Sequence, residues 1–318
     1  MTSPHDRGAR GAWGRGKPPH DRGDPGGSPP RGYRAAVLGS PIAHSLSPAL
    51  HRAAYQALGL AGWSYQAIEC DEAGLPGLLA GCGPDWAGLS LTMPLKRAVL
   101  PLLDHTDPVA VEAGAANTVV FGDSGRSGYN TDVPGMIAAL AGAGLAGNGL
   151  AGDRCSALIL GAGATACSAL AASRGLGLTV VTVAARDHAR AGDLRAAAGR
   201  LGMSVHLTGY GLVAGHPDLV ISTVPAGAAD PVAERIADGA LRPRFLLDVV
   251  YHRWPTPLAV AAAAAGAAVA GGFELLLHQA AGQVELMTGQ PAPLAAMRAA
   301  GLAALAARGP GGGNSRNT

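Results

Sequence analysis

The chain has 318 residues, of which 48% are hydrophobic, 14% charged and 4% aromatic, a length and composition typical of a globular protein with two domains. The formal net charge is +2, and much of the basic excess lies near the N-terminus, so the remainder is close to neutral and nucleic acid is a poor candidate partner. No apolar run reaches the roughly 20 residues that cross a bilayer. Four cysteines without a CxxC pair or a nearby His cluster indicate reduced thiols in a cytoplasmic protein and no metal site.

Both ends of the chain are predicted to be disordered tails. Residues 1–32 are mostly Gly, Pro, Arg and Asp and cannot bury enough apolar surface to fold. A misassigned start codon would produce the same pattern, and the segment lacks the apolar stretch of a secretory signal. Residues 309–318 are predicted to be disordered for the same compositional reason.

The chain from Tyr33 onward alternates between predicted strands and helices. A helix is expected to begin at Ser47-Pro48, with Ser47 as the N-cap and Pro48 in the first helical position. The alternation predicts a mostly parallel sheet. The other predicted elements of this region are the strands Arg34–Gly39, Ser64–Cys70, Gly88–Leu91 and Thr118–Phe121, the helices Leu75–Ala80, Pro94–Leu103 and Pro134–Leu145, and a Gly/Ser turn at 122–128.

A second β-α series begins after a Gly-rich linker. Its strands are short and apolar, and the series has the rhythm of a dinucleotide-binding domain. The predicted strands are Cys155–Leu160, Leu178–Ala184, Leu219–Ser222 and Phe245–Val249, and the predicted helices are Cys167–Arg174, Glu274–Thr288 and Pro293–Ala307.

The segment GAGATA, residues 161–166, follows an apolar strand and opens a helix, which is the context in which a GxGxxG/A pattern predicts nucleotide binding. Gly161 permits the tight turn, and Gly163 lets a pyrophosphate approach the backbone at the helix N-terminus. Ala166 replaces the third glycine and still allows close packing. A Gly-rich helix start also occurs for packing alone, and a chain with 48 glycines produces chance matches.

The end of the next predicted strand bears on the choice of nucleotide. An NAD site usually places an acid there for the ribose 2′-hydroxyl, but Ala185 holds this position and Arg186 follows it. The planar, permanently charged fork of Arg186 suits a 2′-phosphate, and Arg190 lies one helical turn later. Asp187 argues the other way, because it would repel a phosphate or bind the ribose. A solvated loop of mixed charge is the alternative.

Two hydroxyl groups, those of Ser45 and Ser47, lie two residues apart in GSPIAHSLSP and point the same way if the segment is extended. At the start of a helix such a pair forms a seat for a carboxylate. The alternative is simple helix capping by Ser47.

Further charged and polar side chains lie at element boundaries. Pro94 places Lys96, in LTMPLK, near the first turn of a helix, where the helix dipole disfavours a cation, and this misfit suggests that the lysine has a task. Asn117 lies in GAANT, and Asp132 ends NTD at a helix entrance. Taken alone, an acid such as Asp132 is more often an N-cap than a catalyst.

Eight motifs in one order resemble the shikimate dehydrogenase family. The match runs from about Val37 to Gly289, and each motif is weak by itself, whereas eight in the same order are specific. The motifs are SPIAHSLSPALH, LTMPLK, GAANT, NTD, GAGATA, STVPAG, DVVYHRWPTPL and HQAAGQVELMTG.

The resemblance implies an α/β fold with two domains and an active site in the cleft between them. An N-terminal α/β substrate domain is expected over residues 33–131 plus 272–308, and a Rossmann-like, doubly wound NADP-binding domain over 132–271. Lys96 and Asp132 resemble the catalytic pair. The implied substrate ligands are Ser45, Ser47, Thr92, Asn117, Tyr251 and Gln279, and the implied cofactor residues are Gly161, Ala162, Gly163, Ala164, Arg186, Arg190 and Gly272.

Two positions depart from the family pattern. Ser90 stands where the family often has Asn, so one hydrogen bond to the substrate is expected to differ. The residues after the second strand of the nucleotide-binding series are Ala185, Arg186 and Asp187 instead of the familiar Asn-Arg-Thr, which bears on the choice between NADP and NAD.

The resemblance implies the reduction of 3-dehydroshikimate to shikimate with NADPH, on the route to chorismate and the aromatic amino acids, by a monomer or homodimer. Lys96 would polarise the carbonyl oxygen and deliver the proton. Asp132 and local desolvation would adjust how readily the lysine gives up and takes back that proton. One alternative is a relative that acts on quinate or aminoshikimate, with NAD or NADP. The other is a non-catalytic nucleotide-binding regulator on the same fold, against which the presence of both Lys96 and Asp132 argues.

Overall fold

The structure, a computed structural model, describes residues 32–145, 150, 155–178 and 180–308. The tails predicted at 1–32 and 309–318, apart from Gly32, lie outside the described residues, as does most of the predicted Gly-rich linker. Across the described ranges, no helix combines the length and the apolar character that a membrane crossing requires.

The first of two sheets is mixed. Its strands are β1 (Arg34–Gly39), β2 (Ser64–Glu69), β3 (Trp86–Leu91), β4 (His105–Thr106), β5 (Thr118–Gly122) and β6 (Gly125–Tyr129), and their order in the sheet is β2-β1-β3-β5-β6-β4. β1 lies parallel to β2 and β3, but β5 runs antiparallel to both β3 and β6. Three of the five neighbouring pairs are parallel, in line with the mostly parallel sheet predicted, and the segment predicted as a turn at 122–128 contains most of the return strand β6.

Helices cover both faces of this sheet. They are α1 (Ser47–Ala57), α2 (Leu75–Ala80), α3 (Leu95–Ala98) and α4 (Pro108–Ala113), together with the two helices that end the described chain, α10 (Gly272–Thr288) and α11 (Leu294–Ala307). Side chains alternate along β1: Ala35 and Val37 pack with α1, α10 and α11, whereas Ala36 and Leu38 pack with α2, α3 and α4.

The second sheet is entirely parallel within the described residues. Its strands are β7 (Ala157–Leu160), β8 (Val180–Ala184), β9 (Ser204–Thr208), β10 (Leu219–Ser222), β11 (Phe245–Asp248) and β12 (Ala268–Gly271). They lie in the order β12-β11-β10-β7-β8-β9, with every neighbouring pair parallel. This is the strand order of a doubly wound dinucleotide-binding fold, in which ligands bind where the order reverses, here between β7 and β10. The predicted fold class is confirmed.

Helices also cover both faces of the second sheet. They are α5 (Asp132–Gly142), α6 (Ala164–Gly175), α7 (Gly192–Leu201), α8 (Asp230–Ala237) and α9 (Pro257–Ala264). The apolar strands present Ile159, Val183 and Ile221 to α5, α6 and α7, and Leu160 and Val220 to α8 and α9.

The chain passes between the two sheets twice. It leaves the first sheet at the end of β6 and enters α5, and it returns directly from β12 into α10. Helix α5 packs against both α10 and α6, and its Val133 and Met136 share a core with Ala113 of α4. The predicted domain limits at 131/132 and 271/272 coincide with these crossings and stay a prediction.

The helix predicted over 94–103 is broken. It consists of α3, a single turn of four residues, followed by a 3₁₀ turn at Leu100–Leu102. Pro101 lies in this turn, and because proline has no N–H it cannot continue the α-helical hydrogen-bond ladder.

Candidate active site

Lys96 and Asp132 form a nearly buried ion pair. Lys96 lies in α3 just after β3, and Asp132 is the first residue of α5. The Lys96 Nζ atom lies 2.6 Å from Asp132 Oδ2, and the side chains are 12% and 7% exposed. This is a charge-assisted hydrogen bond from which water is largely excluded. The predicted dipole misfit at Lys96 is wrong, since a helix of four residues has too few aligned peptides for a macrodipole.

Asn117 fixes the other oxygen of Asp132. Its Nδ2 donates to Asp132 Oδ1 at 2.8 Å and to Thr131 Oγ1 at 2.9 Å, while its Oδ1 accepts from Thr131 N and Thr118 Oγ1. Asn117 is 1% exposed. Its amide therefore orients the carboxylate that holds Lys96.

Two more predicted substrate residues lie around this pair. Gln279 of α10 is buried, and its Oε1 lies 3.4 Å from Asn117 Nδ2. Thr92 is half-buried where β3 ends, and its backbone N donates to Leu38 O at the end of β1. At Gly39 a Cβ would lie only 2.3 Å from Thr92 Cγ2, so this glycine lets Thr92 close over the end of β1.

The loop before α1 carries Ser45 and Ser47. The two serines do not lie on an extended segment, because Ser45 N bonds to Ile42 O in a turn and Leu46 has helical dihedral angles. The predicted N-cap at Ser47 is also wrong, since Leu46 is the N-cap and Ser47 is the first helical residue. Ser45 Oγ accepts from Ser47 N at 3.3 Å.

A buried polar chain that the sequence reasoning missed runs beneath these residues. Tyr65 Oη donates to Ser90 Oγ at 2.6 Å, and Ser90 Oγ donates to Gln283 Oε1 at 2.8 Å. Gln283 Nε2 then donates to Asn117 O and Thr118 Oγ1. The hydroxyl proton of Ser90 is thus directed to Gln283. Two sequence signals could have indicated Tyr65 and Gln283. Tyr65 lies at an inward-facing position of a predicted strand, and Gln283 lies within the motif HQAAGQVELMTG.

His51 of α1 completes this chain. Its ring stacks on Tyr65 at 3.9 Å between centroids, and its Nε2 lies 3.3 Å from Gln283 Oε1. Burial lowers the pKa of His51 to about 3, against the opposing effect of the hydrogen bond with Gln283. The imidazole is therefore neutral near pH 7, and because Gln283 Oε1 can only accept, Nε2 carries the proton.

Tyr251 approaches the same region from the second sheet. It lies in the loop after β11, and burial raises its pKa while the charge of Arg308 lowers it in part. The adjacent His252 contacts the loop that carries Ser45, with its Nε2 3.2 Å from His44 O. Tyr251 is therefore brought to the side of the cleft where Ser45 lies.

The GAGATA turn has the shape that a pyrophosphate needs. Gly161 has a φ of 106°, and a Cβ there would lie 2.6 Å from Thr223 Oγ1 in the loop after β10. A Cβ at Gly163, by contrast, would meet no atom within 4 Å, so the N-terminus of α6 is open. Ala162 and Ala164 are half-buried beside it. These residues fit a dinucleotide at the strand-order reversal.

Asp187, just after β8, takes part in the local backbone structure. Its Oδ1 accepts from Ala189 N at 2.9 Å and caps the following 3₁₀ turn, whereas Arg186 is exposed. The side chain of Arg190 lies outside the described residues. At Gly272 close packing alone requires glycine, because a Cβ there would lie 2.1 Å from Val249 O.

Arg97 links the ion pair to the nucleotide turn. It follows Lys96, and its Nη2 donates to Cys167 Sγ at 3.3 Å in the first part of α6, while its Nη1 bonds to Asp193 of α7 at 2.6 Å. The ion pair of Lys96 and Asp132 therefore lies close to the helix that follows the open glycine turn. A buried ammonium group beside a nucleotide site can protonate a carbonyl oxygen, which is the chemistry of carbonyl reduction.

Known proteins resemble this chain over most of its length. The family model of the shikimate dehydrogenase substrate binding domain matches residues 37–119, and that of the shikimate 5'-dehydrogenase C-terminal domain matches residues 272–300. The shikimate dehydrogenase (NADP(+)) of Moorella thermoacetica is 35% identical over 271 residues, which cover 82% of this chain and 90% of that protein.

Solved structures of similar proteins share the fold. The shikimate dehydrogenase of Mycobacterium tuberculosis has a TM-score of 0.74 and 43% identity, covering 85% of this chain and 99% of that one. The shikimate 5-dehydrogenase of Thermus thermophilus, in complex with NADP(H) and shikimate, has a TM-score of 0.73 and 33% identity, covering 86% of this chain and 100% of that one.

Proposed function

The chain belongs to the shikimate dehydrogenase family, and from this premise we propose how its cleft reduces 3-dehydroshikimate to shikimate with NADPH, reversibly. The observation that carries the proposal is the buried contact between Lys96 Nζ and Asp132 Oδ2, linked through Arg97 to the helix that follows the glycine turn. The reaction belongs to the formation of chorismate and the aromatic amino acids.

Lys96 is the proton donor in this proposal. Its ammonium group bonds to the ketone oxygen of the substrate and transfers a proton as the alkoxide forms. Asp132 Oδ2 holds the ammonium in place, and Asn117 holds Asp132 Oδ1, so the pair has one geometry. In the reverse direction Lys96 accepts the proton of the shikimate hydroxyl.

The remaining polar groups of the cleft orient the substrate. Ser45 and Ser47 bind its carboxylate, with Tyr251 beside them. Thr92, Asn117 and Gln279 bind ring hydroxyls, and Asn117 does so while it holds Asp132. Ser90 is bonded to Tyr65 and Gln283, so it supports this face of the pocket through Gln283.

The cofactor is NADP, which supplies the hydride when it is bound. Gly161 and Gly163, with Ala162 and Ala164, would receive its pyrophosphate at the N-terminus of α6. Arg186, which is exposed, would pair with the 2′-phosphate, while Asp187 Oδ1 is bonded to Ala189 N. Arg190 and Gly272 are proposed as further cofactor contacts.

We also propose the domain limits, the cellular location and the oligomeric state that the resemblance implied. The substrate domain comprises residues 33–131 and 272–308 and the nucleotide-binding domain 132–271, and the enzyme acts in the cytoplasm as a monomer or homodimer. Sedimentation of the purified protein distinguishes these two states.

Oxidation of shikimate with NADP tests the activity, with absorbance at the reduced nicotinamide band as the readout. We expect NADPH to accumulate with shikimate and NADP, and more slowly with NAD or with quinate. No NADPH from shikimate, or a faster reaction with quinate, would contradict the proposed function. A nucleotide-binding regulator would bind NADP without any turnover.

A further inference from the structure

The loop at residues 40–46, which carries Ser45, is held by side chains from several elements. At its start Ser40 Oγ donates to Glu69 Oε1 at 2.6 Å, and Ile42 N donates to Glu69 Oε2 at 3.0 Å. Glu69 is the last residue of β2. Two further side chains bind the other end of the loop through its backbone carbonyls.

Arg308, which follows α11, binds two successive carbonyl oxygens. Its Nη1 donates to His44 O at 2.6 Å, and its Nη2 donates to Ser45 O at 3.0 Å. The oxygen of His44 also receives His252 Nε2 from the loop after β11. One planar guanidinium therefore bridges the carbonyl oxygens on the two sides of the Ser45 Cα atom, and His252 bonds to the first of these oxygens.

We propose that Arg308 is a positioning residue for substrate recognition, which fixes the peptides on both sides of the Ser45 Cα atom and so aims Ser45 Oγ at the substrate carboxylate. The proposal rests on the function proposed above. Both terminal nitrogens of the fork are committed to the loop, so Arg308 acts through Ser45. Its charge also reaches Tyr251, whose pKa it lowers against the effect of burial.

The alternative is that Arg308 only ties the end of α11 to the protein. A tether would contribute to thermal stability and leave substrate binding unchanged. A positioning role changes the KM for shikimate, because a misdirected hydroxyl weakens the carboxylate contact. It leaves the KM for NADP unchanged, since the nucleotide turn lies on the other sheet.

Steady-state kinetics of Arg308→Gln and Arg308→Lys test the proposal. Lysine keeps the charge but is a point donor that cannot span two carbonyls as the guanidinium fork does. We expect both variants to raise the KM for shikimate, Arg308→Gln by on the order of tenfold, the value of a hydrogen bond to a charged group. Arg298→Gln is the matched control: it removes an arginine of α11, the helix that Arg308 follows, and the partner of Arg298 is Glu274. We expect this variant to keep the wild-type KM.

A double-mutant cycle with Ser45→Ala shows whether Arg308 acts through Ser45. We expect Arg308→Gln to add little to the KM of Ser45→Ala, because residues that act together are not additive. Additive losses, a wild-type KM in Arg308→Gln, or full rescue by lysine would overturn the positioning role alone. A wild-type protein that forms no NADPH from shikimate would overturn the proposed function, and this proposal with it.

Discussion

At the scale of single residues, the ion pair of Lys96 and Asp132 makes the sharpest prediction. We expect Lys96→Ala and Asp132→Ala each to lower kcat by about 10²–10⁴, the usual contribution of a positioned proton donor. The double variant is expected to lose little more than the worse single variant, because the two groups act as one unit. Stopped-flow or steady-state rates give kcat, and fluorescence titration gives the affinity for NADP, which stays near wild type. Substantial activity in Lys96→Ala would contradict the mechanism.

The two serines are tested by separating binding from stability. Ser47 follows the N-cap of α1, so its replacement by Ala is not expected to cost the roughly 0.5–2 kcal/mol typical of a lost cap. We expect Ser45→Ala and Ser47→Ala each to raise the KM for shikimate, with only a small fall in melting temperature from the bonds that Ser45 Oγ accepts from Ser47 N and that Ser47 makes with Tyr65. A double variant that melts lower and retains its KM would mean that the serines only support the helix start.

Arg186 makes a prediction about the choice of cofactor. Asp187 caps the turn at His188–Ala191. Arg186, just before it, is exposed to solvent at the end of β8. We expect Arg186→Ala to lower kcat/KM for NADP by about tenfold or more and to leave that for NAD nearly unchanged. The ratio of the two constants is the measurement, and an equal loss for both nucleotides would count against the 2′-phosphate contact.

At the scale of elements, His51 couples the packing of α1 and α10 to pH. Its pKa in the folded protein is about 3, against about 6.5 in the unfolded chain, so between these values the unfolded chain binds more protons. The free energy of unfolding therefore falls as pH falls below about 6.5, by up to about 1.4 kcal/mol per pH unit from this group. Its contact partners Gln283, Tyr55 and Tyr65 are uncharged there.

Urea unfolding at pH 7 and pH 5 measures this effect in the wild type and in His51→Gln. We expect the variant to lose less stability between the two pH values than the wild type. The same pH dependence in both proteins would show that His51 is not the group responsible.

The elements that sequence reasoning found are those with a strong local signal. The apolar strands β1, β7 and β10 and the helix after GAGATA lie where they were predicted, because their residues are buried on both faces and read as continuous apolar runs. Strands β4, β6, β9 and β12 were missed. β6 is rich in Gly and Ser, and β9 lies at the sheet edge with its side chains partly exposed, so neither shows the pattern of a buried strand.

The candidate site shows the same division. The motifs identified Lys96, Asp132 and Asn117 as candidate site residues. The sequence could not show that Asn117 holds Asp132, because this contact joins the residue before β5 to the first residue of α5 and depends on how the two elements pack. Tyr65 and Gln283, 218 residues apart in sequence, are linked in the fold through Ser90 and His51. The N-cap at Ser47 was assigned wrongly because the Ser-Pro signal fits either register of the helix start, and the turn from Ile42 to Ser45 selects between them.

At the scale of the whole molecule, the two sheets contribute different groups to the candidate site. The first sheet positions Lys96, the proposed proton donor, and most of the proposed substrate ligands, and the second provides the open glycine turn. Contacts between side chains of the two halves join them at both sides of the cleft, through Arg97 with Cys167 and through His252 with His44. The reacting groups are therefore assembled only when both halves are in place.

The return of the chain through α10 and α11 has a consequence for synthesis on the ribosome. The first sheet is made early, but its face around Ala35 and Val37 is covered by Leu277, Val284 and Met297, which emerge after the whole second sheet. The second sheet is complete at Gly271 and its core then lacks Leu275 of α10, whereas the first half must wait with a whole apolar face uncovered. The nascent first sheet is thus the stage at which a chaperone would be needed, and a chain stalled near residue 271 would already carry Lys96 and Asp132 but lack Gln279 and Gln283.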